Sequence, residues 1–314
     1  MTLAPSRPRL AVTLGDPRGI GPEIVSKMLR DGRAQRNATL TVVGPTGTEV
    51  DVQDSVGNWR EDSDPALAGK LAGAAIERAV ALAQSGQVDG VVTAPIDKSV
   101  LLRGGYDYPG HTEMLADLTH SRVAMMLTSP QLRVVLATTH IALSEVSRAL
   151  TRERLLEIIA TTRRSLREWF LIDEPRIALC ALNPHAGDHG RFGREDDTLL
   201  APVARETKIA GPFPADTVFV RAIRGEFDVV IAPYHDVGMT AIKVAAFGQG
   251  VNVTLGLPFP RTSPDHGTAL DIAHRGVADP SSMIEATLMC ASIARTIRKE
   301  TPAPASRRSQ RLPR

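Results

Sequence analysis

Aromatic residues make up only 4% of this 314-residue chain, and it holds two cysteines. Cys180 and Cys290 are too few for a disulfide framework and exclude a cysteine-built metal site by count. Both stand in apolar segments and read as inert buried thiols. No apolar run approaches the length of a membrane span, so no membrane partner is expected. The opening MTLAPSRPRLAVTLGD enters a strand too soon for a secretory leader, which makes the cytoplasm the expected compartment.

What is present is ordinary for a soluble globular protein: 43% hydrophobic and 23% charged residues. The length suits one large α/β domain or two intimately joined ones. The net charge of +2 is unevenly placed. The segment 301–314 carries Arg307, Arg308, Arg311 and Arg314 and no acid; subtracting its +4 from the chain's +2 leaves −2 for residues 1–300. That tail, rich in Pro and Ser with no periodic apolar face, reads as disordered. The rest shows no basic stripe, so no nucleic-acid partner is expected.

Along the chain, short apolar runs alternate with helical periods. Strands are expected at 10–14, 40–43, 88–92, 123–128, 132–138, 176–182, 229–232 and 251–255, and helices at 67–84, 113–118, within 142–168, from 195, and at 281–298. The first strand runs into Gly15-Asp16-Pro17-Arg18-Gly19-Ile20-Gly21-Pro22-Glu23, either a nucleotide-type glycine loop or a plain tight turn. Residues 44–66 read as a polar surface loop. Lys98 either holds an anion or caps a loop. His111 and Thr112 stand just before a helix start, where an anion is favoured; the plainer reading is a Thr cap and an incidental His.

The densest stretch is 232–280. Tyr234-His235-Asp236 ends an apolar run, then come Lys243, Asn252, Arg261, His266-Gly267-Thr268 and Asp271. Strand ends deliver side chains to the edge of an α/β sheet, where ligands bind. His140, His185 and His235 each terminate an apolar run. Three imidazoles in equivalent positions suggest a catalytic divalent cation, although lone histidines there are usually just satisfied polar residues. Lys243, Arg261, His111 and Thr112 suit an anionic substrate. A hydride leaving a hydroxyl-bearing carbon would require a nicotinamide. Asp271 would accept from ribose hydroxyls and His266 would approach the adenosine end; alternatively, Asp271 is a helix N-terminal charge.

The motifs GDPRGIGPE (15–23), APIDK (94–98), PGHTE (109–113), LNPHAGDHGRFGRED (182–196), YHDVG (234–238) and VNVTLGLPFPRTSPDHGTALDIA (251–273) resemble the 4-hydroxythreonine-4-phosphate dehydrogenase (PdxA) family. GIGPE and HGTALDIA more distantly resemble isocitrate and isopropylmalate dehydrogenases. The resemblance implies an α/β fold of three layers, α/β/α, with two subdomains flanking a central cleft. They would be interleaved in one catalytic domain over residues 1–300. It implies one divalent metal (Zn, Mg or Co) on His140, His185 and His235, and catalytic roles for these and Lys243. Substrate contacts would come from His111, Thr112, Lys243, Asn252 and Arg261, and contacts to NAD or NADP from His266 and Asp271. The active site would lie at a homodimer interface. The implied reaction oxidises the C3 hydroxyl of 4-phosphooxy-L-threonine and releases carbon dioxide to give 3-amino-2-oxopropyl phosphate, in vitamin B6 biosynthesis.

Departures from the family pattern stand at Asp97, where Asn is usual, at Arg18, where a small residue is common, and in a short 44–66 region. They leave open a catabolic relative acting on 4-phospho-D-threonate or 4-phospho-D-erythronate. A metal-dependent hydrolase or lyase of a phosphorylated acid is the rival from another class; Asp271 and the HGT loop would be idle in it. A phosphate-metabolite binding protein without catalysis is the third reading.

Overall fold

The structure, a computed structural model, describes residues 7–246 and 250–300. The tail 301–314 lies outside the described residues. Eleven strands among the described residues form one sheet: β1 (Arg9–Thr13), β2 (Thr39–Thr46), β3 (Asp54–Asn58), β4 (Gly90–Thr93), β5 (Ala124–Thr128), β6 (Arg133–Leu136), β7 (Ile177–Cys180), β8 (Ala210–Phe213), β9 (Val229–Ala232), β10 (Val251–Leu255) and β11 (Arg261–Pro264). Their spatial order is β3-β2-β1-β4-β11-β10-β5-β6-β9-β7-β8. From β3 to β11 all neighbours are parallel, as are β6, β9, β7 and β8. Between these groups β10 pairs antiparallel with β11 and β5, and β5 with β6. Three antiparallel steps reverse the direction, so the two parallel groups run opposite ways.

The sequence dictates this layering through burial. Leu10, Ala11, Val12 and Thr13 of β1 are all fully buried, as a parallel strand covered on both faces requires. On one face, helices Gly21–Asp31, Arg152–Phe170 and Ser281–Glu300 pack through a single apolar cluster. It runs from Ile24 and Met28 through Leu155 and Ile159 to Met283 and Ile293, and so spans both halves. On the other face the packing is split. Helix Pro65–Gln84 covers the first half through Ile76, Ala79 and Val80. Helices Ala215–Ile223 and His235–Ala246 cover the second through Val218, Phe219 and Ile242. Between those two clusters the face of β11, β10 and β5 opens into a cleft. Cys180 and Cys290 are buried free thiols, which burial pushes up to about 12.

Several expectations change. The 44–66 region is not wholly loop: β3 adds in parallel to β2, and Trp59 buries against Ala68, Leu71 and Val100. The polar segment near residue 212 forms the edge strand β8, and the residues after Pro260 form β11. His111 and Thr112 are the first residues of helix His111–Thr119 rather than its preceding loop. His235 likewise starts a helix. Residues 270–276 are successive turns, so Asp271 heads no helix.

Helix Pro65–Gln84 begins at Asp64, whose side chain caps Ala66 N–H at 2.8 Å, with Pro65 in the first turn. Its small residues let the short helix Lys98–Arg103 approach backbone to backbone. A Cβ on Gly69 would lie 1.7 Å from the carbonyl oxygen of Val100. Gly69→Ala should therefore lower stability by roughly 1–3 kcal/mol through overpacking, read by denaturant unfolding. A neutral result would mean that the two helices are not in contact.

Candidate active site

The floor of the cleft follows from strand alternation. Side chains two apart share a face, and cross-strand partners are neighbours. Asn252 sits opposite Leu127 and Ser263, so Met125, Leu127, Asn252, Thr254, Arg261 and Ser263 share one face. Asn252 and Arg261 thus enter the site from the sheet face, at the starts of the central strands β10 and β11. Arg261 is 1% exposed. Its Nη1 donates to Thr254 Oγ1 at 3.0 Å and its Nη2 to Thr93 Oγ1, while its Nε has no partner. No ion pair reaches it among the described residues. A buried guanidinium without a counter-ion is unfavourable, and burial pushes Arg261 down to about 9. Asn252 Oδ1 is also buried without a partner.

The walls come from strand ends and helix starts. Helix His111–Thr119 begins at Gly110 with no side-chain cap, leaving its first N–H groups to the cleft. His111 and Glu113 each bury an unpartnered atom, Nε2 and Oε2. Burial, then the charges of Arg261 and Lys98, hold His111 well below the ordinary imidazole value. Burial and then Lys98 lower His140 as well, with Glu113 opposing. Both rings are therefore neutral near pH 7. His140 and His235 have ring centroids 5.7 Å apart. His235 Nδ1 lies 2.8 Å from Asp236 Oδ1, which orients the ring.

His235, Met239 and Lys243 fall on one helix face by their spacing of four. His235 and Met239 line the cleft, a cavity of about 230 Å³, and Lys243 lies one turn beyond. There Lys243 Nζ is held by Asp265, through Oδ2 at 2.8 Å and the carbonyl at 2.9 Å. His185 lies in an adjoining cavity with Asn183, Asp216 and Tyr234. The backbone there is strained: His185, Ala186, Asp188 and His189 all have φ between 43° and 55°. The buried carboxylate of Asp196 holds this loop, accepting from Leu182 N, Asn183 N and Asn183 Nδ2 at 2.8–3.1 Å. The structure thus brings His140 and His235 together and leaves His185 at the end of the next strand but one, β7, beyond β9. Among the described residues no three His, Cys, Asp or Glu stand close enough to cage a metal. Two neighbouring imidazoles, one held neutral, still match the donor chemistry of a divalent cation.

The first glycine loop forms the other flank. Ile20 N donates to Thr268 O at 2.9 Å, and a Cβ on Gly19 would sit 2.8 Å from that same oxygen. Beside this contact a cavity of about 150 Å³ is lined by Pro17, Gly19, Glu49, Trp59, Glu61 and His274. The start of helix Gly21–Asp31 opens there through Pro22. His266 faces the substrate cleft instead, with Nε2 buried and unpartnered. Asp271 is exposed and lines neither cavity. Glu113, Asp265, Trp59 and His274 escaped sequence reasoning. The first two stand inside the PGHTE and SPDHGT blocks; the other two carried no signal.

Fold and site define a cleft enzyme of the two-subdomain α/β/α class, with a buried guanidinium in its floor. A family model described as "Pyridoxal phosphate biosynthetic protein PdxA" matches residues 24–290. The 4-hydroxythreonine-4-phosphate dehydrogenase of Stenotrophomonas maltophilia is 42% identical over 321 residues, covering 92% of this chain and 98% of that one. A protein of Bradyrhizobium diazoefficiens, provisionally named D-threonate 4-phosphate dehydrogenase, is 41% identical over 325 residues, covering 88% and 94%. The crystal structure of the Klebsiella pneumoniae 4-hydroxythreonine-4-phosphate dehydrogenase superposes with a TM-score of 0.81 at 38% identity, covering 92% and 98%. The chain belongs to the PdxA family. An isocitrate dehydrogenase from Methylococcus capsulatus, at 16% identity and a TM-score of 0.53 over 93% and 88% of the chains, shares the fold.

Replacing Arg261 with Met tests the electrostatic reading. The empty protein should be at least as stable by thermal melting, because a buried unpaired charge is removed. Phosphate binding, measured by calorimetry, should weaken by about 100-fold. A large loss of stability without loss of phosphate would show that the guanidinium is structural.

Proposed function

We propose that the chain oxidises the C3 hydroxyl of 4-phosphooxy-L-threonine with NAD. The resulting β-keto acid loses carbon dioxide to leave 3-amino-2-oxopropyl phosphate, a step of pyridoxal phosphate synthesis. Family membership supports this, and one observation carries it: a guanidinium buried without an ion-pair partner among the described residues, in a cleft where the imidazoles of His111 and His140 are neutral. Arg261, Lys98 and the start of helix His111–Thr119 bind the anionic groups of the substrate. Asn252 and His111 present unpartnered polar atoms that orient it. Lys243, clamped by Asp265, braces the rim. The neutral imidazole of His111 is placed to take up a proton at Nε2.

His140, His185 and His235 would hold a divalent cation, which when bound polarises the hydroxyl oxygen. NAD would lie along the first glycine loop and the His266–Thr268 loop, as hydride acceptor. Glu49 and Glu61 beside that flank disfavour a 2′-phosphate, which favours NAD over NADP. Both subdomains contribute, so residues 1–300 form one catalytic unit. No helix of the described residues is long and apolar enough to cross a membrane. A cytoplasmic location belongs to this reading and is checked by cell fractionation.

The test is nicotinamide reduction over a panel: 4-phosphooxy-L-threonine, 4-phospho-D-threonate and 4-phospho-D-erythronate, with Zn, Mg or Co and with chelator. Reduction with the first, abolished by chelator, is expected. Preference for a phosphorylated sugar acid would instead place the chain with relatives like that of Bradyrhizobium, and absence of NAD binding would favour a hydrolase or lyase.

The homodimer belongs to the same proposal. Helices Ala215–Ile223 and His235–Ala246 expose Val220, Ile223 and Val244 along one apolar groove, at 47%, 45% and 67%. The second helix carries His235 at its start, so a second copy seated here would border the site. Val244→Asp should shift sedimentation from dimer towards monomer. An unchanged dimer would remove this face as the interface.

A further inference from the structure

Lys98 and Asp97 are adjacent in the chain, yet they form no ion pair among the described residues. Lys98 lines the cleft, and its charge lowers both His111 and His140. The reason it stays free lies in how the carboxylate of Asp97 is occupied. Oδ1 accepts from Ser99 N at 2.9 Å, Ser99 Oγ at 2.6 Å and Val100 N at 3.4 Å, which caps helix Lys98–Arg103. Oδ2 is taken by Arg18 Nη2 at 3.3 Å. Arg18 cannot swing away, because its Nε and Nη2 grip Asp16 at 3.1 and 2.6 Å, and the side chain of Asp16 is 2% exposed. Asp16 is itself fixed to the loop that carries Lys98, through Asp16 N donating to Pro95 O at 2.9 Å.

We propose that Arg18 is a positioning residue that keeps Lys98 available to the anion by holding the carboxylate of Asp97. It rests on the anionic-substrate reading of the cleft. Without Arg18, Oδ2 of Asp97 would lose its cationic partner one residue from Lys98. The lysine would turn to it, and the lip of the site would repel the anion. Asn in place of Asp97 keeps an oxygen for the cap but offers no charge, so it cures that defect. Arg18 and Asp97, 79 residues apart, thus act as one compensated pair.

The experiment measures inorganic phosphate binding to the intact protein by calorimetry, with KM and kcat for the phosphorylated substrate. Arg18→Ala should weaken phosphate and raise KM by about tenfold while kcat stays within about twofold, an effect reduced at high salt. Arg18→Ala with Asp97→Asn should recover to within about threefold of the parent, and Asp97→Asn alone should bind no more weakly than the parent. In a Lys98→Met background Arg18→Ala should cost less than about threefold, because only the repulsion by Asp97 is left to act. Arg18→Ala also leaves Asp16 buried without its partner. If that variant fails to fold, Arg18→Lys, which keeps a cation beside Asp16 but lacks the two-pronged reach, carries the same test. A double variant as weak as Arg18→Ala, or a parent-like Arg18→Ala, overturns the inference while the anion site stands. A parent protein that binds no phosphate overturns both.

Discussion

A guanidinium without a counter-ion sets the terms for the rest of this molecule. Arg261 sits on a central strand of the sheet, fully buried, with two threonine hydroxyls as its only hydrogen-bond partners among the described residues. Proteins rarely leave such a charge unpaired, because desolvation costs several kcal/mol, on the order of the whole margin of stability. The surrounding groups follow the same logic. The imidazoles of His111 and His140 are held neutral, Lys98 lines the same cleft, and Glu113 keeps one oxygen bare. Glu113 acts on Arg261 from within the cleft, but no carboxylate among the described residues pairs with it.

The cleft exists because apolar packing is unequal on the two faces. One face carries a single cluster beneath both halves; the other carries two clusters that do not meet. The polar stripe of Asn252, Thr254, Arg261 and Ser263 explains the division, since a helix laid over it would bury unsatisfied groups. The antiparallel steps at β10 and β5 place that stripe where the two parallel groups change direction. Loops from both halves can then reach one point.

Much of this was legible in the sequence. The apolar runs located eight of the eleven strands, within a few residues, because buried parallel strands are written as continuous Val, Ile and Leu. β3 and β8 were hidden because edge strands such as DSVGN and AGPF carry polar residues, Gly and Pro. β11, RTSP, was hidden although central, because its polar side chains serve the site rather than the core. The residues lining the cleft were named from motif blocks, but their directions were not. Alternation puts Asn252 and Arg261 on the sheet face, and Asp265 draws Lys243 to the rim. The contact between Arg18 and Asp97 spans 79 residues and had no local signature.

The continuous ladder from β4 through β11, β10 and β5 to β6 has a mechanical consequence. Two lobes joined by a flexible linker can swing shut around a ligand, but these two share an uninterrupted hydrogen-bonded base. Narrowing the gap requires added twist in those central strands or travel of the loops above them. Width at the base therefore belongs to the sheet, and whatever adapts to ligand size must do so from the rim.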